Sequence, residues 1–468
     1  MANESPAAFY EIMVTDEIFQ EIADCTNIFA ENEISNNKES SRLIKIHQWI
    51  PTNHSEIKKF FGLIMFMGIV KLPRLTDYWS KDAILSHPFP ERIMSRDRFQ
   101  TILQMLHFSV DDETNKTDPS HYTRKLLDAL NSNFAKYFSP TEDLFIKKGP
   151  LLFCGKDTQT KLPKRTRLVK LCSAPGYVCR VDLFVRKNVG AMNDILVNTV
   201  MTLCSDRLNK GHTLYTDDCL TNLDLARKLL ENKTHLVGYL RKHRLQPPME
   251  VTGAKLEAGS FIARESYDGI TVMKLREKEV SLLLSTKHST QFASKCTKSG
   301  KNVIKPQIII DYEKAEEAVQ LCDKIAETSS TSTLLEPMKW YKKLAIDLVL
   351  NIAVVNALTL YKSMTNKNIQ IVDFRKELVV YICQKNTNDQ EEETTMAEPT
   401  LEAIKHKLIK KVGPVRLNRR TCHQCYKDKT KVMGRMLAKN RSPKVATYCE
   451  NCPNKPFLCL TCFNKTHC

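Results

Sequence analysis

The chain has 468 residues, 70 Lys and Arg against 53 Asp and Glu, and a formal net charge of +17. That length predicts several domains, and the basic surplus favours a polyanion such as nucleic acid over an ordinary solvated surface. The opening MANESPAAFYEIM lacks a basic region followed by an apolar one, so no secretory signal is expected and the 16 cysteines should be reduced or metal-bound.

From Ala7 to about Phe108, apolar residues recur three and four apart in VTDEIFQEIADCTNIF and EIKKFFGLIMFMGIV, which predicts helices with Thr15 and Ser55 as caps. A polar stretch, Asp111–His121, closes this region. The period then changes to two. RLVKLCS (Arg167–Ser173), a turn at Pro175–Gly176 and YVCRVDLFVRK (Tyr177–Lys187) predict a hairpin. A helix over Asn193–Leu208, a strand at His212–Thr216, a helix from Leu223 and a strand at Thr234–Leu240 follow. More strands are expected in Gly269–Thr286 and at Lys305–Tyr312, and helical spacing resumes from Glu313 to Met364. This order is α/β and calls for a mixed sheet covered by helices. Leu344–Tyr361 is apolar enough to imitate a membrane span, but Asp347, Asn351 and Asn356 inside it favour a buried core helix, so no membrane is expected. Asn386–Glu398 is polar and acidic and reads as a linker.

Beyond the linker the chain turns basic (Ile404–Arg420) and then cysteine-rich. Three Cys-x2-Cys pairs, Cys422 with Cys425, Cys449 with Cys452 and Cys459 with Cys462, are followed by His467 and Cys468. Two thiolates on one tight turn supply half of a tetrahedral zinc shell, so these groups predict two zinc ions. The cross-braced arrangement puts the first and third pairs on one ion and the second pair with His467 on the other. The eighth ligand is left open between Cys468, His423 and water. Such a unit has little core and should unfold without metal. Lys410, Lys411, Arg416, Arg419, Arg420, Lys427, Lys429, Lys431, Arg435, Lys439 and Arg441 surround it, suiting phosphate contacts or a nuclear import signal.

Asp217 ends a short apolar strand, where α/β folds place ligands, and a two-metal nuclease site needs such a carboxylate with at least two others. Around it the sequence resembles the piggyBac transposases and the host genes derived from them. The resemblance is carried by MSRDRFQTILQMLHF (Met94–Phe108), TLYTDDCLTNLDLARKLL with THLVGYLRKHRLQPP (Thr234–Pro248), KPQIIIDYEKAEEAVQLCD (Lys305–Asp323), MKWYKKLAIDLVLNIAVVNALTLYK (Met338–Lys362) and YCENCPNKPFLCLTCFNKTH (Tyr448–His467). It implies a mixed α/β fold with an RNase H-like transposase core and an insertion domain, a helical N-terminal domain for dimerisation and DNA binding, and a small C-terminal zinc-binding domain that recognises DNA. The corresponding boundaries are residues 1–120 for the helical region, 121–380 for the core with its insertion at about 241–304, 381–403 for the acidic linker and 404–468 for the zinc domain.

Carried over position by position, the family's second catalytic aspartate falls on Asp217, its first on Ser173, its third on Gln320, and a further aspartate on Asp323. Asp182 cannot rescue Ser173: with Ser173 facing Val178, Asp182 lies roughly 13 Å away, beyond a shared ion. Glu316 or Glu317 could approach the face of Gln320. A serine hydroxyl and an amide cannot replace two carboxylates, so Asp217 is expected to serve as a strand-end acceptor, with Asp218 or Thr221 near the cap of the next helix. The expected function is a catalytically inactive, host-adopted DNA-binding protein, a homodimer in the nucleus. Two alternatives stand beside it: a residual Mg²⁺-dependent transposase or nuclease using Asp217, Asp323 and Glu316 or Glu317, or an interaction module contacting chromatin proteins. No nucleotide-binding loop is present, no Ser/His/Asp arrangement follows from spacing, and His121 and His235 read as structural.

Overall fold

The computed structural model describes residues 5–36, 49–82, 84–110, 119–150, 167–184, 192–241, 248–296, 300, 302–327, 338–384, 408–411, 418–449, 452 and 455–467. It divides into two compact units, Met1–Glu391 and Glu392–Cys468. Most of the acidic linker and Cys468 lie outside the described residues.

The first unit opens with helices α1 (Pro6–Glu11), α2 (Asp16–Asn36), α3 (His54–Ile69), α4 (Pro88–Ile93), α5 (Arg96–Met105) and α6 (Arg124–Tyr137). Thr15 directly precedes α2, as expected. The cap of α3 is Asn53, whose side chain accepts from the Glu56 N–H at 2.9 Å, rather than Ser55, which lies inside the helix. Buried residues ring α3 almost completely, from Ile57 through Met67, so it is a central helix of the core. Its Gly62 lets α13 (Ile371–Gln384) approach, since an added Cβ would stand 2.7 Å from Cys383 Sγ.

Beyond the helices lies an eight-stranded sheet in the order β3-β2-β1-β4-β5-β8-β7-β6. β1 (Asp143–Pro150), β2 (Arg167–Ser173) and β3 (Tyr177–Phe184) form an antiparallel meander, while β4 (Thr213–Thr216) and β5 (His235–Tyr239) run parallel to β1. This is the order of an RNase H-like core, and the α/β class is as expected. The predicted hairpin forms, with one shift of register: Ser173 faces Tyr177, not Val178, because Cys179 is an extra residue between the pairs Leu171–Arg180 and Cys172–Val178. The outer strand is sealed by two amides. Asn356 bonds both backbone groups of Val178 and Asn131 both of Val181, all at 2.8 Å. α7 (Met192–Leu203) and α8 (Leu223–Glu231) complete the alternation between β3 and β5.

The stretch between β5 and the next core helix extends the sheet with β6 (Phe261–Glu265), β7 (Thr271–Arg276) and β8 (Val280–Ser285), after the short α9 (Met249–Gly253). β9 (Phe292–Cys296) and β10 (Asn302–Pro306) make a separate ribbon. The strand expected at Lys305–Tyr312 is corrected: β10 ends at Pro306 and α10 runs over Gln307–Glu327. Ile308, Ile309, Tyr312, Val319 and Cys322 are its buried positions, a helical spacing, and Pro306 suits a helix entrance because it has no N–H to satisfy.

α11 (Trp340–Asp347), a π-helical turn (Leu348–Ile352) and α12 (Ala353–Thr365) form one apolar rod. By length and composition it could cross a membrane, yet 89% of its apolar window is buried inside the fold. It is a core helix. The second unit holds two small sheets, Leu408–Lys410 with Thr447–Cys449 and Arg420–Thr421 with Lys444–Val445, and helices His423–Met433, Arg435–Arg441 and Leu460–His467.

One glycine fixes how close the functional end of the sheet can pack. A Cβ on Gly238 would stand 2.7 Å from the Thr216 carbonyl oxygen and collide with Thr221 Oγ1. Gly238→Ala should lower stability by about 1–3 kcal/mol, read from denaturant unfolding, because Thr216 is main chain and cannot swing aside.

Candidate functional site

Ile146 of β1 lies opposite Thr216 of β4, so the next residues are level with each other, Lys147 within β1 and Asp217 just past the carboxyl end of β4. On the other side of β1, Lys147 pairs with Lys170 of β2. Strand alternation puts all three on the face of Phe145 and Tyr215, whose rings lie 5.6 and 6.3 Å from Tyr312 of α10. Lys170, Lys147 and Asp217 thus form a row across three strands, with α10 over it.

From α10, Asp323 reaches down to this row. Lys147 Nζ donates to one carboxylate oxygen and Lys170 Nζ to the other, both at 2.6 Å. Burial pushes the Asp323 carboxyl up, but the Lys170 charge and the bonds from both ammoniums outweigh it and hold the group below the usual carboxylate range. Lys170 itself is only 9% exposed.

Asp217 closes the turn after β4. One carboxylate oxygen accepts from the N–H groups of Cys219 and Leu220, both at 3.0 Å, and its backbone carbonyl accepts from Thr221 Oγ1 at 2.8 Å. The cap of α8 is neither Asp218 nor Thr221 but Asn222, which accepts from the Leu225 N–H at 2.8 Å. Asp218 instead receives Arg241 Nε at 2.8 Å, and the same guanidinium reaches Cys219 Sγ.

The residues singled out from sequence do not all meet. Ser173 is not brought to Asp217: it pairs with Leu144, three positions from Lys147 and so roughly 10 Å along the strand, and its hydroxyl meets that of Thr141 at 3.0 Å. The residue beside Asp217 is Lys147. Sequence reading missed it because β1 shows only the three-residue apolar run Leu144–Ile146, too short to announce a central strand. Gln320 and Glu317 are exposed, whereas Glu316 is half-buried on the α10 face nearer the sheet. After burial, the charge of Glu316 and then of Asp217 raises the Tyr312 hydroxyl. Asp182 is held by Arg124 at 3.1 Å. His235 Nδ1 meets the Thr286 carbonyl at 2.9 Å, a structural contact.

The carboxylates here are therefore already matched by fixed cations: Lys147 and Lys170 are bonded to Asp323 and Arg241 to Asp218, and buried Asp347 also feels the charge of Lys170. Two divalent ions bring +4 and require carboxylate oxygens turned toward them. The ligand atoms of Asp217, Asp218 and Cys219 do lie within 4.8 Å of one another, but Asp218 is bonded to a guanidinium and Asp323 to two ammoniums, so the core residues do not fit that pair.

A second polar run joins β8 to α10. Ser285 Oγ lies 3.0 Å from His288 Nδ1, and His288 Nε2 lies 2.8 Å from Asp311. Spacing gave no sign of it. Ser285 is fully buried and its Oγ already accepts from the N–H groups of Lys287 and His288, so its hydroxyl donates to the imidazole and is no accessible nucleophile.

In the second unit Cys422, Cys425, Cys459 and Cys462 converge, with their sulfurs within 4.8 Å of one another. Cys425 Sγ lies 3.3 Å from Cys462 Sγ and 3.9 Å from Cys459 Sγ. Tetrahedral zinc with bonds near 2.3 Å separates its sulfurs by roughly 3.8 Å, so this set fits one zinc ion. The Cys459 N–H donates to Cys422 Sγ at 3.3 Å, the kind of bond that steadies a thiolate ligand. Cys449 is fully buried, with Cys452 in hydrogen-bonding reach. The remaining expected ligands, the His467 side chain and Cys468, lie outside the described residues.

Comparison with known proteins gives a consistent picture. A sequence model of the family described as Transposase IS4 matches residues 5–358. The human PiggyBac transposable element-derived protein 3 is 23% identical, over 91% of this chain and 73% of its own. The human PiggyBac transposable element-derived protein 2 is 20% identical, over 82% and 66%. Among solved structures, the piggyBac transposase in a synaptic complex with hairpin DNA superposes with a TM-score of 0.66 at 20% identity, covering 84% of this chain and 83% of that one.

Two outcomes follow. A depressed carboxyl stabilises the fold above its unfolded value, near pH 4, and that contribution is lost as pH falls through the lower folded value. Asp323→Asn should therefore flatten the acid limb of stability below about pH 4 in unfolding measured against pH. Cys425→Ala should release one zinc equivalent, counted with a metallochromic dye.

Proposed function

Because the chain belongs to the piggyBac-type family of DDE transposases, we propose that it is a transposase-derived DNA-binding protein that no longer cuts or joins strands. The observation that carries this reading is Lys147, one position past the Ile146–Thr216 pair and so level with Asp217, whose ammonium is bonded to Asp323 in a place where strand transfer needs carboxylates around divalent ions. A site that must concentrate positive charge from solution is opposed by fixed positive charge already inside it. Asp217 and Asp323 keep structural work, Asp217 in the turn and Asp323 in the ion cluster, while Gln320 and Ser173 add no charge. Mg²⁺ has no role in this reading.

DNA is met through the C-terminal unit. Cys422, Cys425, Cys459 and Cys462 hold one zinc ion, and Cys449 and Cys452 hold a second with His467 and Cys468. Exposed Lys410, Lys411, Arg419, Arg420, Lys427, Lys431, Arg435, Lys439 and Arg441 supply phosphate contacts. The protein acts in the nucleus as a homodimer joined through its N-terminal helices. The DNA-bound structural neighbour supports the class of partner, and the net charge of +17 agrees with it.

Full-length protein should bind duplex DNA with an affinity that falls steeply with salt, and removal of residues 421–468 should abolish its sequence preference. Incubated with hairpin or transposon-end DNA and Mg²⁺ or Mn²⁺, it should leave the strands intact. Nicking that disappears in Asp217→Ala would sink the proposal.

A further inference from the structure

The disagreement between the core residues and a pair of divalent ions has a specific form. A carboxylate that bridges two metal ions gives one oxygen to each, with the ions about 3.5–4 Å apart. Asp323 is used in that manner by two side chains: Lys147 Nζ on one oxygen and Lys170 Nζ on the other, each at 2.6 Å. The lysines are cross-strand partners on β1 and β2, so their stems rise together from one face, and Asp217 stands next in the row. A fourth group repeats the pattern one step outward, where Arg241 occupies Asp218 and Cys219.

We propose that Lys147 and Lys170 fill the two cation positions of the core, with Asp323 as their bridging carboxylate, so that this fold carries its own counter-ions in place of metals. This rests on the reading of the chain as a non-cutting transposase relative but goes further, since a protein can lose strand transfer and still bind metal there. Ammonium groups neutralise the carboxylate by hydrogen bonds and need no loading from solution. They also make the core indifferent to divalent ions, whatever the zinc unit requires. Lys147 is the decisive residue: it is the less buried of the two lysines, and its exchange for an acid would put a carboxylate where Asp323 approaches, at a strand position level with Asp217.

The test uses full-length, zinc-loaded protein and free Mn²⁺ followed by electron paramagnetic resonance. Wild type should take up no Mn²⁺ that Asp217→Ala abolishes. Lys147→Asp should gain a site at least about tenfold tighter than any in wild type, lost again when Asp217→Ala is added. Wild-type uptake that depends on Asp217, or a folded Lys147→Asp without uptake, would overturn the proposal. A double-mutant cycle decides if Lys147→Asp does not fold: Lys147→Gln should lower the denaturant midpoint in wild type but not in Asp323→Asn. Additive effects would show that the ammonium does not act on the carboxylate. Nicking of DNA by wild type would count against the function proposed above, whereas failure here with intact DNA would leave that function standing.

Discussion

The ion cluster of Lys147, Asp323 and Lys170 is the constraint around which the core is arranged. At 2.6 Å and an effective dielectric of about 20, each ammonium gains roughly 6 kcal/mol of attraction to the carboxylate, offset by several kcal/mol for removing each ion from water. The net gain is small. Loss of one partner is another matter, because it strands the others at a cost of about 3–5 kcal/mol. The cluster therefore ties β1, β2 and α10 together more by the penalty of breaking it than by the profit of making it.

Its geometry follows from several independent features of the chain. The parallel pairing of β1 with β4 sets Lys147 beside Asp217, and the antiparallel return through β2 brings Lys170 alongside. α10 then crosses over with Tyr312, Glu316 and Asp323 facing down, one helical turn or two apart. Aromatic contacts hold that crossing in place: Tyr312 packs against Phe145, Tyr215 and Tyr239, one ring from each of three neighbouring strands. Between strand and helix, the Ser285, His288 and Asp311 run fixes where α10 begins. The end of the sheet that serves as a catalytic platform in transposases is here filled with paired charge.

Much of this was legible in the residues. Period-two patterning located β2, β3, β4 and β5, and the Cys-x2-Cys spacing anticipated which four thiols converge. Asp217 was correctly seen as a strand-end residue. What escaped were features decided by tertiary pairing. β1 has too few apolar residues to stand out, because Lys147, on the face of Phe145, finds its partner only on α10. Ser173 was placed at the site by carrying the family's first aspartate over position by position, and the fold separates that serine from Asp217 by the length of half a strand. The start of α10 was read as a strand because Ile308, Ile309 and Ile310 form a β-branched run, yet packing of every third or fourth residue onto the sheet overrides that local preference. The Asn222 and Asn53 caps were passed over for neighbours with equally suitable side chains, which sequence cannot rank.

The amide seal on β3 has a consequence for assembly. An open sheet offers two flanks where a foreign strand could dock by main-chain hydrogen bonds. Asn356 and Asn131 occupy the backbone of Val178 and Val181, so one flank is closed by side chains belonging to helices of the same unit. Templated stacking of copies through that border would have to evict two bonded carboxamides first, whereas the opposite border is β6, contributed by the stretch that also supplies β7 and β8.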